Sequence, residues 1–368
     1  PDMESLSAAL DELYGGSIEP VVRTRGETQC VGFLGSFLDD AYTLDGSAIL
    51  EKAAGLLGEL LLRPCTEQGV FRRDYTESER QNLIDRIRAQ VNDKRQYAQV
   101  RVVAEMCAGE PFGVDRLGDE SSARAITPES LWARYQDLLC TAPMELYYCG
   151  SAKPERVADA LRAALSQLPT DGVRAPLPRP AAKEAPAQPR EVVESLDVTQ
   201  GKLTMGLRTG STVWSEDYPA LLLANAIFGG TTTSRLFLHV REKLSLCYYA
   251  SSQLEKLKGV MLVSSGVEFD KVGEARAEIL AQLEACRKGA FEDWELEGAR
   301  RSVVSALHSA MDAQARLEDF WLGQAVAGLT EDPEALARRV EEVTREQVVA
   351  AFSSLQLDTI YFLKGREA

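Results

Sequence analysis

The sequence predicts an α+β fold laid down twice, with largely antiparallel sheets and helices packed on one face of each. Three observations carry that prediction. A hairpin followed by long helices, a capped helix and an apolar strand occurs once in each half of the chain. A Pro/Ala-rich stretch with no periodicity separates the halves. Hairpins rather than crossovers supply the strands, which favours antiparallel pairing. At 368 residues the chain is also too long for one ordinary core.

The elements follow in order. Residues 5–14 read as a helix before Gly15-Gly16. Strands at 18–24 and 28–38 form the first hairpin, and helices follow at 47–62 and 71–107. Thr127 caps a helix whose first position is Pro128, and this helix runs to about residue 139. An apolar strand at 144–149 ends at Gly150. Prolines 176, 178, 180, 186 and 189 mark a semi-rigid connector. This sets domains at 1–167 and 193–368, with a linker at 168–192.

The second domain opens with a strand at 194–207 and a helix at 217–227, then a glycine turn. Its hairpin is 246–254 with 259–267, turning at Lys258-Gly259. Helices at 271–287 and 292–328 follow, then a helix opened by Thr344 and a strand at 359–363 ending at Gly365. Two such series imply an internal duplication. The first copy has no counterpart of the opening strand and helix, a deficit of about 40 residues at its front.

Composition excludes several function classes. The net charge of −15 argues against a nucleic-acid binder and gives no reason to expect an anionic membrane as partner. No apolar run approaches the ~20 residues that span a bilayer. Residues 1–4 do not read as a signal peptide. Seven scattered cysteines without C-x-x-C suit a reducing compartment, and the cytoplasm is the expected location.

The chemistry-bearing candidates are few. The only histidines, His239 and His308, lie apart, outside H-E-x-x-H and H-x-x-E-H, and read as surface or packing residues. Glu77, Glu79 and Asp85 alternate with arginines at helical spacing and read as a solvated, salt-bridged face. Ser234 reads as the N-cap of a helix over 235–243. Gly229 and Gly230 form a turn that lets backbone approach another surface closely, a bound peptide being one such surface. Arg241 and Tyr248 stand seven residues apart across a helix end into a strand. Arg offers a fork of donors, and Tyr offers a donor on a flat apolar ring.

Phe228-Gly229-Gly230, Ser234-Arg235-Leu236-Phe237, Arg241-Glu242-Lys243-Leu244 with Cys247-Tyr248-Tyr249, and Gly289-Ala290-Phe291-Glu292-Asp293-Trp294 together resemble the insulinase (pitrilysin) family of zinc peptidases. Leu13-Tyr14-Gly15-Gly16 and Asn92-Asp93-Lys94 are similar to its YmfF-type bacterial branch, whose members lack the zinc motif. The resemblance covers nearly the whole chain. It implies that Arg241 and Tyr248 hold a substrate peptide in a closed chamber. It also implies that Arg86 occupies the position of the third zinc ligand, beside Asp85 and Ile87. A guanidinium cannot coordinate zinc.

The expected function is therefore a zinc-free subunit of a two-chain peptidase. It would have no catalytic residue and bind no cofactor of its own, its zinc lying on an H-x-x-E-H partner. Two alternatives stand beside this: a non-enzymatic scaffold or assembly subunit of the same fold, and an active peptidase whose metal motif lies upstream of residue 1.

Overall fold

The computed structural model describes residues 2–169, 172–180 and 182–366. In chain order these form α1 (Met3–Asp11), β1 (Ser17–Arg25), β2 (Thr28–Ser36), α2 (Ile49–Leu62), β3 (Thr66–Glu67), β4 (Val70–Phe71), α3 (Arg73–Ala89), α4 (Lys94–Met106), α5 (Glu120–Arg124), α6 (Pro128–Thr141) and α7 (Pro154–Ala164). There follow β5 (Arg190–Leu196), β6 (Gly201–Arg208), α8 (Tyr218–Asn225), β7 (Cys247–Glu255), β8 (Val260–Val267), α9 (Val272–Arg287), α10 (Asp293–Met311), α11 (Gln314–Ala327), α12 (Pro333–Glu341), α13 (Arg345–Ser354) and β9 (Gln356–Gly365). Two π-helical stretches, Ala226–Gly230 and Leu236–Lys243, lie between α8 and β7.

The chain divides into two compact units that are not contiguous segments. The second unit holds Arg25–Glu27, Arg88–Asp115 and Pro178–Ala368, and the first holds the rest. The cut between Leu177 and Pro178 falls inside the linker read from the sequence, three residues of which (170, 171 and 181) lie outside the described residues.

Within the first unit, α2 packs on α7 so closely that a Cβ at Gly58 would meet the Ala164 carbonyl oxygen at 2.4 Å. Phe71, Trp132 and Tyr135 form an aromatic cluster between β4 and α6, with centroids 5.2–5.7 Å apart. Thr127 closes a capping box with Ser130 at the start of α6. The only sheets here among the described residues are the two-stranded β1–β2 and β3–β4. The expected strand at 144–149 is not formed: the segment is paired with no strand, and Leu146 is 60 % exposed. An apolar run becomes a strand only where a neighbouring strand takes up its backbone groups in a regular ladder, and no such ladder forms here among the described residues.

The second unit is built on a five-stranded sheet of order β5-β9-β6-β8-β7, antiparallel except for β5 with β9. Along β6 the pleat sends Leu203, Met205 and Leu207, each at most 2 % exposed, to one face. Helices α8, α9 and α13 are layered together, and Phe228, Phe291 and Phe352 lie ring to ring at 6.1–6.3 Å. On the other face lies α4, whose Ala98 and Val102 pack against Tyr361 and Leu363. Burying each such side chain is worth roughly 1.5–3 kcal/mol.

Three expected elements are divided. The helix over 71–107 breaks at 90–93, where Asp93 turns its carboxylate to the amides of Arg95 and Gln96 and starts α4 afresh. The helix over 292–328 breaks between α10 and α11 at Asp312-Ala313. The strand over 194–207 is two strands, β5 and β6, flanking β9 on opposite sides.

Candidate functional site

The site is built from the segment between α8 and β8. α8 runs directly into the first π-helical stretch, and Gly229 and Gly230 end it. A Cβ on Gly229 would lie 2.5 Å from the Ser252 backbone nitrogen, and one on Gly230 would lie 2.8 Å from Asn225 Nδ2. Ser252 Oγ donates to Asn225 Oδ1 at 2.7 Å. The surface that the glycine turn approaches is thus the chain's own β7. A Gly229→Ala substitution is expected to cost about 1–3 kcal/mol through overpacking against that backbone. Urea unfolding of the variant measures this.

Beyond the turn, the structure corrects the reading of Ser234. Its hydroxyl is buried with no hydrogen-bond partner, and the helix beginning at Leu236 has no side-chain cap. Neighbouring Arg235 is structural. Its Nη1 donates to both Glu295 carboxylate oxygens at 3.1 Å, and its Nε donates to Gln282 Oε1 at 2.8 Å. Glu295 Oε2 also accepts from the Glu292 amide at 2.7 Å, closing the capping box of α10. One carboxylate therefore anchors the π-helix and starts the long helix together.

Arg241, six residues on, is held quite differently. Its side chain is 40 % exposed, it rests over the Phe237 ring at 4.6 Å, and its nearest carboxylate is Glu242 at 3.5 Å. The helix ends by hydrogen bonds from the Leu244 amide to His239 and from the Leu246 amide to Val240, with Ser245 at φ +49°. β7 then starts with an irregularity: Cys247 pairs with Val267 and Tyr249 with Gly266, leaving Tyr248 as the extra residue of a bulge. Such a bulge re-aims a side chain, and Tyr248 is 62 % exposed with its hydroxyl 3.5 Å from Glu268. Arg241 and Tyr248 thus flank one turn as exposed, loosely held groups. Widened π-helical turns recur at functional sites because they displace side chains from regular helical spacing.

Among the described residues no metal donor set accompanies them. Arg86 is exposed on α3. Around it Asp85 accepts from Gln81, Glu79 accepts from Asn82, and Glu77 lies 3.8 Å from Arg73. His308 is exposed on α10. His239 is half-buried, and burial together with the Arg235 and Lys243 cations pushes its imidazole below the ordinary value. Among the described residues no three His, Cys, Asp or Glu side chains gather as a metal site. A guanidinium with scattered carboxylates does not fit zinc, which needs about three N, S or O donors converging on one point.

A second charged cluster escaped sequence reasoning. Lys258, only 2 % exposed at the β7–β8 turn, pairs with Glu27 and lies 2.6 Å from Glu110 Oε2. Arg208 donates to Glu110 at 2.9 Å, to Asp358 at 2.9 Å and to the Met106 carbonyl at 2.7 Å. Burial alone would raise the Glu110 carboxyl, but Lys258 and Arg208 outweigh it and hold it down at about 2. The sequence marks Lys258-Gly259 only as a turn.

Among the described residues the exposed Arg241 and Tyr248 have no converging metal donors beside them. Residues 125–303 match the family model described as the peptidase M16 inactive domain. The chain is 33 % identical over 367 residues to the probable inactive metalloprotease YmfF of Bacillus subtilis, covering 100 % of this chain and 85 % of that one. Among solved structures, a conserved protein from Enterococcus faecalis superposes with a TM-score of 0.90 at 26 % identity, covering 100 % of this chain and 86 % of the other. A peptidase M16 inactive domain from Pseudomonas fluorescens superposes with a TM-score of 0.76 at 19 % identity, covering 100 % and 85 %. The chain belongs to the peptidase M16 family.

Proposed function

We propose that the chain is the zinc-free subunit of a two-chain M16 peptidase, supplying Arg241 and Tyr248 to a peptide that is cut at the metal of an H-x-x-E-H partner. The observation that carries this reading is the contrast between two arginines of one segment. Arg235 is locked in a buried ion pair, while Arg241 is exposed and bound to little. An arginine held only by an exposed glutamate and the Phe237 ring, one turn away from a tyrosine lifted out by a bulge, is available for ligand. The guanidinium donates to peptide carbonyls or a carboxylate, and the tyrosine ring lies along the peptide with its hydroxyl as a further donor. Neither group performs bond cleavage. They bind and orient.

Mixing the chain with a zinc-bearing relative from its own cell and following cleavage of a peptide tests the proposal. Arg241→Ala is expected to lower kcat/KM of the mixture by about 10–100-fold, the worth of a charged hydrogen bond. Tyr248→Phe is expected to lower it less, with the complex still assembled on size exclusion. Full activity of the doubly substituted chain overturns the proposal and leaves a scaffold role of the same fold.

A further inference from the structure

A second polar feature includes Tyr249, the residue after Tyr248. Lys202 on β6 and Tyr249 on β7 are both paired with Gly266 of β8, so the three form a row across the sheet. Gly266 has no side chain, and Tyr249 lies over it: a Cβ there would meet the ring at 2.5 Å. The Arg95 guanidinium, in the first turn of α4, covers the ring at 4.2 Å, and the Lys202 ammonium lies 5.9 Å from its centroid. Arg95 also donates to Ser251 Oγ at 3.3 Å, and Lys202 donates to Gln200 Oε1.

These two cations have no contacting anion among the described residues. Among the described residues no carboxylate lies within 4.0 Å of either. The nearby Asp93 carboxylate accepts from the amides of Arg95 and Gln96 through Oδ1 and acts on Lys202 only from beyond contact distance. Burial, then the Arg95 charge, pulls the Lys202 amine below its ordinary value, which is the cost of holding two like charges beside one ring. Surface cations ordinarily turn toward water or a carboxylate. Here the sheet row and the α4 start hold both beside one aromatic ring. A carboxylate suits the pair: a guanidinium takes two oxygens and an ammonium takes one.

We propose that Arg95, Lys202 and Tyr249 form a carboxylate-binding site that takes a peptide's free C-terminus or an acidic side chain. This rests on the reading that the chain handles peptide. The site is separate from Arg241 and Tyr248 in residues and in test.

Amide spectra of the full chain titrated with hippurate (an acyl glycine with an aromatic ring and a free carboxylate) test it against hippuramide, the same molecule without the charge. Saturable shifts at Lys202, Tyr249 and Gly266 are expected with hippurate, with binding at least about tenfold tighter than that of hippuramide. N-acetylglutamate α-amide separates the sources. Shifts of the same residues with it assign an acidic side chain, and shifts with hippurate alone assign a C-terminus. Arg95→Gln with Lys202→Gln is expected to abolish the discrimination, while Lys202→Arg retains it. Arg241→Ala is expected to leave it intact, so failure here is distinct from failure of the cleavage test. Equal shifts from hippurate and hippuramide, or discrimination that survives the double Gln substitution, overturn the proposal.

Discussion

Glu110→Ala is expected to destabilise the chain by about 3–5 kcal/mol, because it leaves Lys258 and Arg208 buried with part of their negative charge gone. Both cations have side chains no more than 4 % exposed, so water cannot replace the carboxylate. The same group predicts a pH dependence. The folded carboxyl sits at about 2 against an ordinary 4.5. Its contribution is complete above the unfolded value and is lost as pH falls from about 4.5 toward about 2, amounting to about 3 kcal/mol at order of magnitude. Glu110→Gln is expected to flatten the stability profile across that window, as read by urea midpoints at successive pH values. A double-mutant cycle with Lys258→Met separates the pair's coupling from the cost of each substitution. An unchanged acid limb in Glu110→Gln would show that other carboxylates govern acid unfolding.

That cluster shows where sequence reasoning stops. Thr127 and Thr344 could be read as caps because a cap and its partner amide lie three residues apart. The β7–β8 hairpin could be read because its turn glycine, at φ +71°, declares itself locally. Lys258 could not, since Glu27 lies 231 residues away in sequence. A lysine beside a turn glycine looks solvated until the fold brings carboxylates to it. The break at Asp93 was missed for a related reason: an acidic residue within a polar helical run looks like more helix, and only its bonds to two amides show it to be a start. The run at 144–149 failed in the opposite way, having strand composition but joining no sheet among the described residues. For the site, the family resemblance points to Arg241 and Tyr248, while their types and spacing alone fit an ion pair and a packed ring as well. They could not say that Gly229 serves β7, or that Arg235 is buried while Arg241 is not. The anion-free pair Arg95 and Lys202 is invisible in sequence, because α4 and β6 meet only through the fold.

Glu295→Ala is expected to cost about 3–5 kcal/mol and to weaken peptide handling as well, although Glu295 is itself only 8 % exposed. The substitution strands the Arg235 guanidinium in the core and removes the acceptor of the Glu292 amide. Arg235 immediately precedes the π-helix that carries Arg241, so an unanchored Arg235 frees the stretch whose shape aims Arg241 outward. Stability and cleavage by the mixed complex should therefore fall together in Glu295→Ala. In Arg241→Ala cleavage should fall while the urea midpoint holds, because an exposed arginine 3.5 Å from its nearest carboxylate contributes little to folding. Glu295→Gln keeps the acceptor for the Glu292 amide but loses the charge, and is expected to fall between the two. If Arg241→Ala unfolds as readily as Glu295→Ala, Arg241 is a structural residue and has no claim on a peptide.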